Sequence, residues 1–96
     1  MSLKEAYKQK AEAELELAHA RLVEFKAKAK SFTADTRLKY ARHVDDLEHG
    51  IEAAKVRLKD LGEAGEDAWE KVKDGMESAL GTLRQTLRNT AEKFKE

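Results

Sequence analysis

Leucine, phenylalanine and alanine fall at alternating steps of three and four residues along most of this chain. Leu15, Ala18, Leu22, Phe25, Ala29 and Phe32 form one run, and Tyr40, Val44, Leu47, Ile51, Ala54, Leu58 and Leu61 form a second. A mean spacing of 3.5 residues keeps one stripe of a helix pressed against another helix. The pattern therefore predicts an all-α coiled coil or helix bundle. It also uses nearly every apolar residue for helix pairing and leaves few to line a pocket.

The clearest boundary is Leu61-Gly62-Glu63-Ala64-Gly65-Glu66-Asp67. Gly62 follows the last periodic residue, the place where a left-handed glycine commonly ends a helix. A final helix is expected over about 66–95, with Ala68, Trp69, Val72, Met76, Leu80, Leu83, Leu87, Ala91 and Phe94 on its apolar face. Its acids crowd the first half and its bases the second, matching the helix macrodipole. Gly75 and Gly81 lie inside it, each costing ~1 kcal/mol relative to alanine. They read as tolerated surface glycines, or Gly75 and Ala79 let a partner backbone approach closely. A loop of ~4 residues between helices implies an antiparallel hairpin.

The first two runs can be joined in two ways. From Phe32 to Tyr40 is eight residues, one more than the repeat allows. A break near 31–36, where Ser31, Thr33, Asp35 and Thr36 are good N-caps, gives three helices in an up-down-up bundle. The absence of glycine and proline there, and the Asp35/Lys39 spacing, favour a single helix over about 2–61 that absorbs the skip. The continuous helix is the favoured reading and the three-helix bundle the alternative. A continuous helix would be ~90 Å long. Its uncovered first half would call for a sister chain, so a homodimer or tetramer is expected.

Composition fits one small helical domain over 1–96. Proline is absent, and 40% of residues are charged, which suits solvated helix faces once the periodicity is present. Lys+Arg and Asp+Glu both number 19. With no net basic excess, a nucleic-acid partner is not expected. Cysteine is absent, which removes disulfides, thiolate metal sites and cysteine nucleophiles. The first residues lack the apolar core of a signal peptide, and no stretch approaches ~18 uncharged apolar residues, so a cytoplasmic location is expected.

Three histidines are the residues with metal or acid–base potential near neutral pH. Glu16/His19 and Asp46/His49 share the carboxylate-x-x-His spacing of di-iron bundles. Against the seam, Glu16, Asp46 and His49 face outward and His19 only flanks it, so no metal or other cofactor is expected. No serine has a histidine base in a strand–turn–helix context, and no glycine-rich phosphate loop occurs. The chain is read as a non-enzyme with no catalytic residues. Lys26, Lys28 and Lys30 spread over the outer surface as solvated charge.

The tract Glu66-Asp67-Ala68-Trp69-Glu70-Lys71-Val72-Lys73-Asp74-Gly75-Met76-Glu77, after a long Ala/Glu/Lys helix, resembles a family of small bacterial coiled-coil proteins of uncharacterised function, some linked to stress responses. The resemblance implies a helical hairpin and supplies no catalytic residues. A looser likeness to apolipoprotein-type amphipathic helices implies lipid contact by the last helix.

These readings converge on a structural or protein–protein interaction module, with a stress-related role implied by the resemblance and membrane-surface association as the alternative. The residues expected to carry it are Leu15, Leu22, Phe25, Phe32, Tyr40, Val44, Leu47, Ile51, Leu58, Leu61, Trp69, Val72, Met76, Leu80, Leu83, Leu87 and Phe94. Trp69 is expected to be buried across the turn from Leu58 and Leu61.

Overall fold

The skip between Phe32 and Tyr40 is a turn. A computed structural model describes residues 2–95 and contains three helices, α1 (Leu3–Ala29), α2 (Ala34–Glu63) and α3 (Trp69–Lys95). They pack side by side into a rod of 52 × 19 × 18 Å. Lys4 reaches the end of α2 and Tyr7 reaches the start of α3, so α1 and α3 run parallel and α2 runs against both. The fold is the up-down-up alternative, and the single helix over about 2–61 is not formed.

Energetics explain the break. A continuous helix would leave the stripe of α1 without a cover inside this chain. Leu15, Leu22 and Phe25 are instead buried, each worth ~1.5–3 kcal/mol. Reversing the chain loses a few helical hydrogen bonds worth ~1 kcal/mol net apiece, and most are replaced. The N–H of Ser31 donates to Lys28 O at 3.2 Å and that of Phe32 to Ala29 O at 3.1 Å, a tightened last turn. Thr33 is extended, and its Oγ1 accepts the N–H of Thr36 at 3.3 Å as the N-cap of α2. Arg37 donates to the carbonyls of Lys30 and Phe32 at 3.3 and 3.4 Å.

The second turn differs from the expected glycine cap. Gly62 is helical, α2 runs on to Glu63, and no described residue has a positive φ. Ala64 ends the helix in an extended conformation (φ −71°, ψ 138°) with its N–H on Asp60 O at 3.0 Å. The Lys4 ammonium donates to the carbonyls of Gly62 and Ala64 at 3.3 and 2.5 Å. A cation from α1 thus neutralises the negative end of α2, which makes a left-handed residue unnecessary. Residues 66–68 form a turn, so α3 begins at Trp69, later than the pattern indicated.

The core follows the repeat. Leu15, Leu22, Phe25, Tyr40, Leu47, Ile51, Leu61, Trp69, Met76, Leu80, Leu83 and Phe94 are buried. Phe32, Val44, Leu58, Val72 and Leu87 are half-buried. At one end Phe94 sits against three rings, with centroids 4.9 Å from Phe25, 4.8 Å from Tyr40 and 5.7 Å from Phe32. Tilted rings at these distances add ~0.5–1.5 kcal/mol per pair beyond burial. At the other end Trp69 is 8% exposed, and its ring neighbour is Tyr7 of α1 at 6.5 Å.

Helices α2 and α3 pack most closely, and α1 and α3 least. Gly50 is the residue at which a Cβ would be crowded, 3.3 Å from Leu83 Cδ1. Gly75 meets only the Arg57 side chain, at 3.8 Å, and a Cβ on Gly81 would meet nothing within 4 Å. Gly75 thus fits the reading of a tolerated glycine, and the crowded position is Gly50, against the Leu83 side chain.

Gly75→Ala raises stability by ~0.5–1 kcal/mol through helix propensity, about 4–8 °C in Tm per kcal/mol for a domain of this size. Gly50→Ala gains less because Leu83 must yield, and thermal melts of the two variants read the contrast. Trp69→Ala costs ~3–5 kcal/mol, read by denaturant unfolding, and native Trp69 emission is blue-shifted relative to free indole in water.

Candidate functional site

With the apolar seam turned inward, the features left for function lie on the outside of the rod. The face shared by α1 and α3 is the most structured of these. Tyr7 Oη donates to Glu77 Oε1 at 2.5 Å, and Arg84 Nη2 donates to both Glu14 oxygens at 2.8 and 3.0 Å. Both pairs are 70 residues apart, so the two parallel helices run level with a constant offset. Lys73 Nζ lies over the rings of Tyr7 and Trp69, 5.2 and 5.9 Å from their centroids. Further along, Leu17, Arg21, Leu87, Arg88 and Ala91 line an open groove between the same helices. Arg21 places its guanidinium 5.3 Å from the Phe25 ring centroid and its Nε 3.8 Å from Glu24.

Titration reflects these contacts. Burial, then the hydrogen bond to the Glu77 carboxylate, pushes the Tyr7 phenol well above its ordinary value. The Glu14 hydrogen bond raises Arg84 further. On the α1–α2 side Lys26 forms an ion pair with Glu48 and holds that carboxyl below its usual range.

The histidines are not gathered. His19 lines a shallow groove with Glu12, Glu16, Lys55 and Leu58; His49 is exposed. Among the described residues no three His, Asp or Glu side chains come together in a way that would hold a metal ion. No described helix is long and apolar enough to cross a membrane.

Three features escaped the sequence reading. Thr90 is fully buried, donating to Thr86 O at 2.8 Å and His43 O at 3.4 Å. The three/four rhythm of Leu80, Leu83 and Leu87 lands on Thr90, but its hydroxyl hid it beside Ala91. Tyr7 is packed against the core, in advance of the first run. Charge is also segregated along the axis. Cut level at the 70-residue offset, the half holding residues 17–48 and 87–95 has 10 Lys/Arg and 6 Asp/Glu, and the half holding 2–16 and 49–86 has 9 and 12. Overall neutrality therefore hides a basic end and an acidic end.

No protein-family model, curated protein or solved structure matches this chain.

The Tyr7 contact carries a pH signature. A phenol whose folded pKa is raised contributes stability that is fully present below about pH 10, its unfolded value, and is lost as pH rises through the folded one. Stability of the native protein therefore falls above about pH 10. Tyr7→Phe removes this part of the alkaline loss and is less stable by ~1 kcal/mol at pH 7. Urea unfolding at pH 7 and at pH 10–11 measures both.

Proposed function

We propose that this chain is a non-enzymatic structural module of the cytoplasm that works by protein–protein contact, including contact with its own copies. The observation carrying this reading is the polarised exterior of a rod whose apolar seam is satisfied internally. A rigid surface with a basic end, an acidic end and isolated exposed leucines is suited to steering and orienting a protein partner. Leu3 and Leu17 are 78% and 64% exposed, and the groove at Leu87 and Ala91 adjoins Leu17. A role in stress responses remains part of the proposal through the likeness around Trp69 alone. Self-association no longer rests on an uncovered seam, because α2 and α3 cover α1.

A second reading, membrane-surface association, draws on a different observation. Val23 and Leu38 are 54% and 74% exposed and lie in the basic half, a combination that suits an anionic surface. The apolar face of α3 is a weaker argument, since Trp69, Met76, Leu80, Leu83 and Phe94 are buried in the core. Presenting them to lipid requires opening the bundle, against a stability of ~5–15 kcal/mol for a domain.

Cosedimentation with neutral and anionic phosphatidylserine vesicles separates the two. The module reading expects the protein to stay in the supernatant at 0.15 M salt with Trp69 emission unchanged. Binding to anionic vesicles that fades with salt would replace it with the membrane reading.

A further inference from the structure

Along two stripes of the α1–α3 face, the charges of α3 are arranged head against tail around a glycine; Lys73, over the Tyr7 and Trp69 rings, lies off both stripes. Glu70 and Glu77 share one heptad position with Arg84, and Asp74 shares the next with Gly81, Arg88 and Lys95. Contacts place both stripes toward α1, since Glu77 and Arg84 bond α1 residues while Arg88 and Lys95 line α1–α3 grooves. The acids precede Gly81 and the bases follow it. The midpoints of Glu77/Arg84 and Asp74/Arg88 fall at or beside Gly81. On α1, Leu3 and Leu17 are two heptads apart on one stripe, and their midpoint is Lys10. By the 70-residue offset, Lys10 is level with residue 80, beside the same glycine.

We infer that the α1–α3 face binds the same face of a second copy, antiparallel, with the twofold axis passing beside Gly81. The inference rests on the interaction-module reading and names its partner. In this arrangement Asp74 meets Arg88 of the second copy, and Leu3 covers Leu17 of the second copy, each twice by symmetry. Gly81 is exposed and its missing side chain leaves room for the two α3 backbones to approach.

Several observations favour this occupant. Among the described residues, none of Glu70, Asp74, Arg88 and Lys95 takes part in an ion pair within the chain. Glu70/Asp74 and Arg84/Arg88 are like charges four residues apart, a spacing unfavourable in an isolated helix and relieved by an antiparallel copy. The macrodipole acts only within the terminal turns and does not reach Glu77, Arg84 or Arg88. The face runs the length of a 52 Å rod 18–19 Å wide, enough for the ~800 Å² per partner of a standard interface. A lipid surface or an acidic peptide would satisfy the basic half and leave the acidic half opposed.

Sedimentation equilibrium of the full chain tests the inference, with circular dichroism confirming that each variant is folded. The native protein is expected to dimerise, with a Kd that rises about tenfold or more between 50 and 500 mM NaCl. Arg88→Glu places like charges against Asp74 and weakens the dimer about tenfold or more. The double variant Asp74→Arg/Arg88→Glu restores it to within about threefold of native. Because the chain has no cysteine, Gly81→Cys is expected to form a disulfide dimer under mild oxidation, while Val56→Cys, exposed on α2, does not. A folded monomer up to about 1 mM in low salt, a double variant that stays dissociated, or equal cross-linking at both cysteines would overturn the inference. A monomer that also ignores vesicles leaves the module reading standing with a different protein as partner, whereas vesicle binding counts against that reading itself.

Discussion

Every part of this structure answers to one constraint: an apolar stripe that repeats every 3.5 residues must be covered along its length. Leu and Ala dominate the stripe, so each layer contributes little, and continuity matters more than any single contact. One residue too many between Phe32 and Tyr40 would turn the stripe by about 100° in a straight helix. Folding back at Lys30–Thr33 returns both halves to a common core. Polar atoms then follow the chain reversal, with Thr33 capping α2 and Lys4 closing its far end.

A seam of similar layers does not by itself decide how far one helix slides along another, because a shift of seven residues restores the apolar match. The paired groups of α1 and α3 remove that freedom. Tyr7 against Glu77 and Glu14 against Arg84 hold only at the native level. Moving α1 by one heptad in one direction sets Glu14 against Glu77. Moving it the other way leaves Glu14 facing Ala91 and strands Tyr7 beside Arg84. These half-exposed contacts are individually modest, yet they select among alternatives that the core treats alike.

Much of this was legible in the sequence, and the exceptions have physical causes. The repeat identified the buried positions from Leu15 to Phe94 because a seam periodicity survives whether its helices belong to one chain or two. It did not decide between a straight helix and a hairpin at Thr33, since that choice depends on whether a third helix is in reach to cover α1. The local pattern at Gly62 predicts a left-handed cap because nothing local reveals that Lys4 will reach its carbonyl from 58 residues away. Thr90 is in phase with the seam, but its hydroxyl masks it as a core residue. The axial separation of charge was invisible in the totals, because it exists only after α2 reverses direction and brings the acids of 49–86 beside those of α1.

An odd number of helices has a mechanical consequence. Leu3 and Lys95 lie at opposite ends of the 52 Å rod, so a pull between them acts along the long axis. Such a load does not peel α3 away from one end, as it would in a two-helix hairpin with both ends together. It shears all three helix–helix surfaces at once, and the first movement must break the Tyr7 and Arg84 contacts together. The bundle is therefore built to resist tension along its axis as a stiff strut.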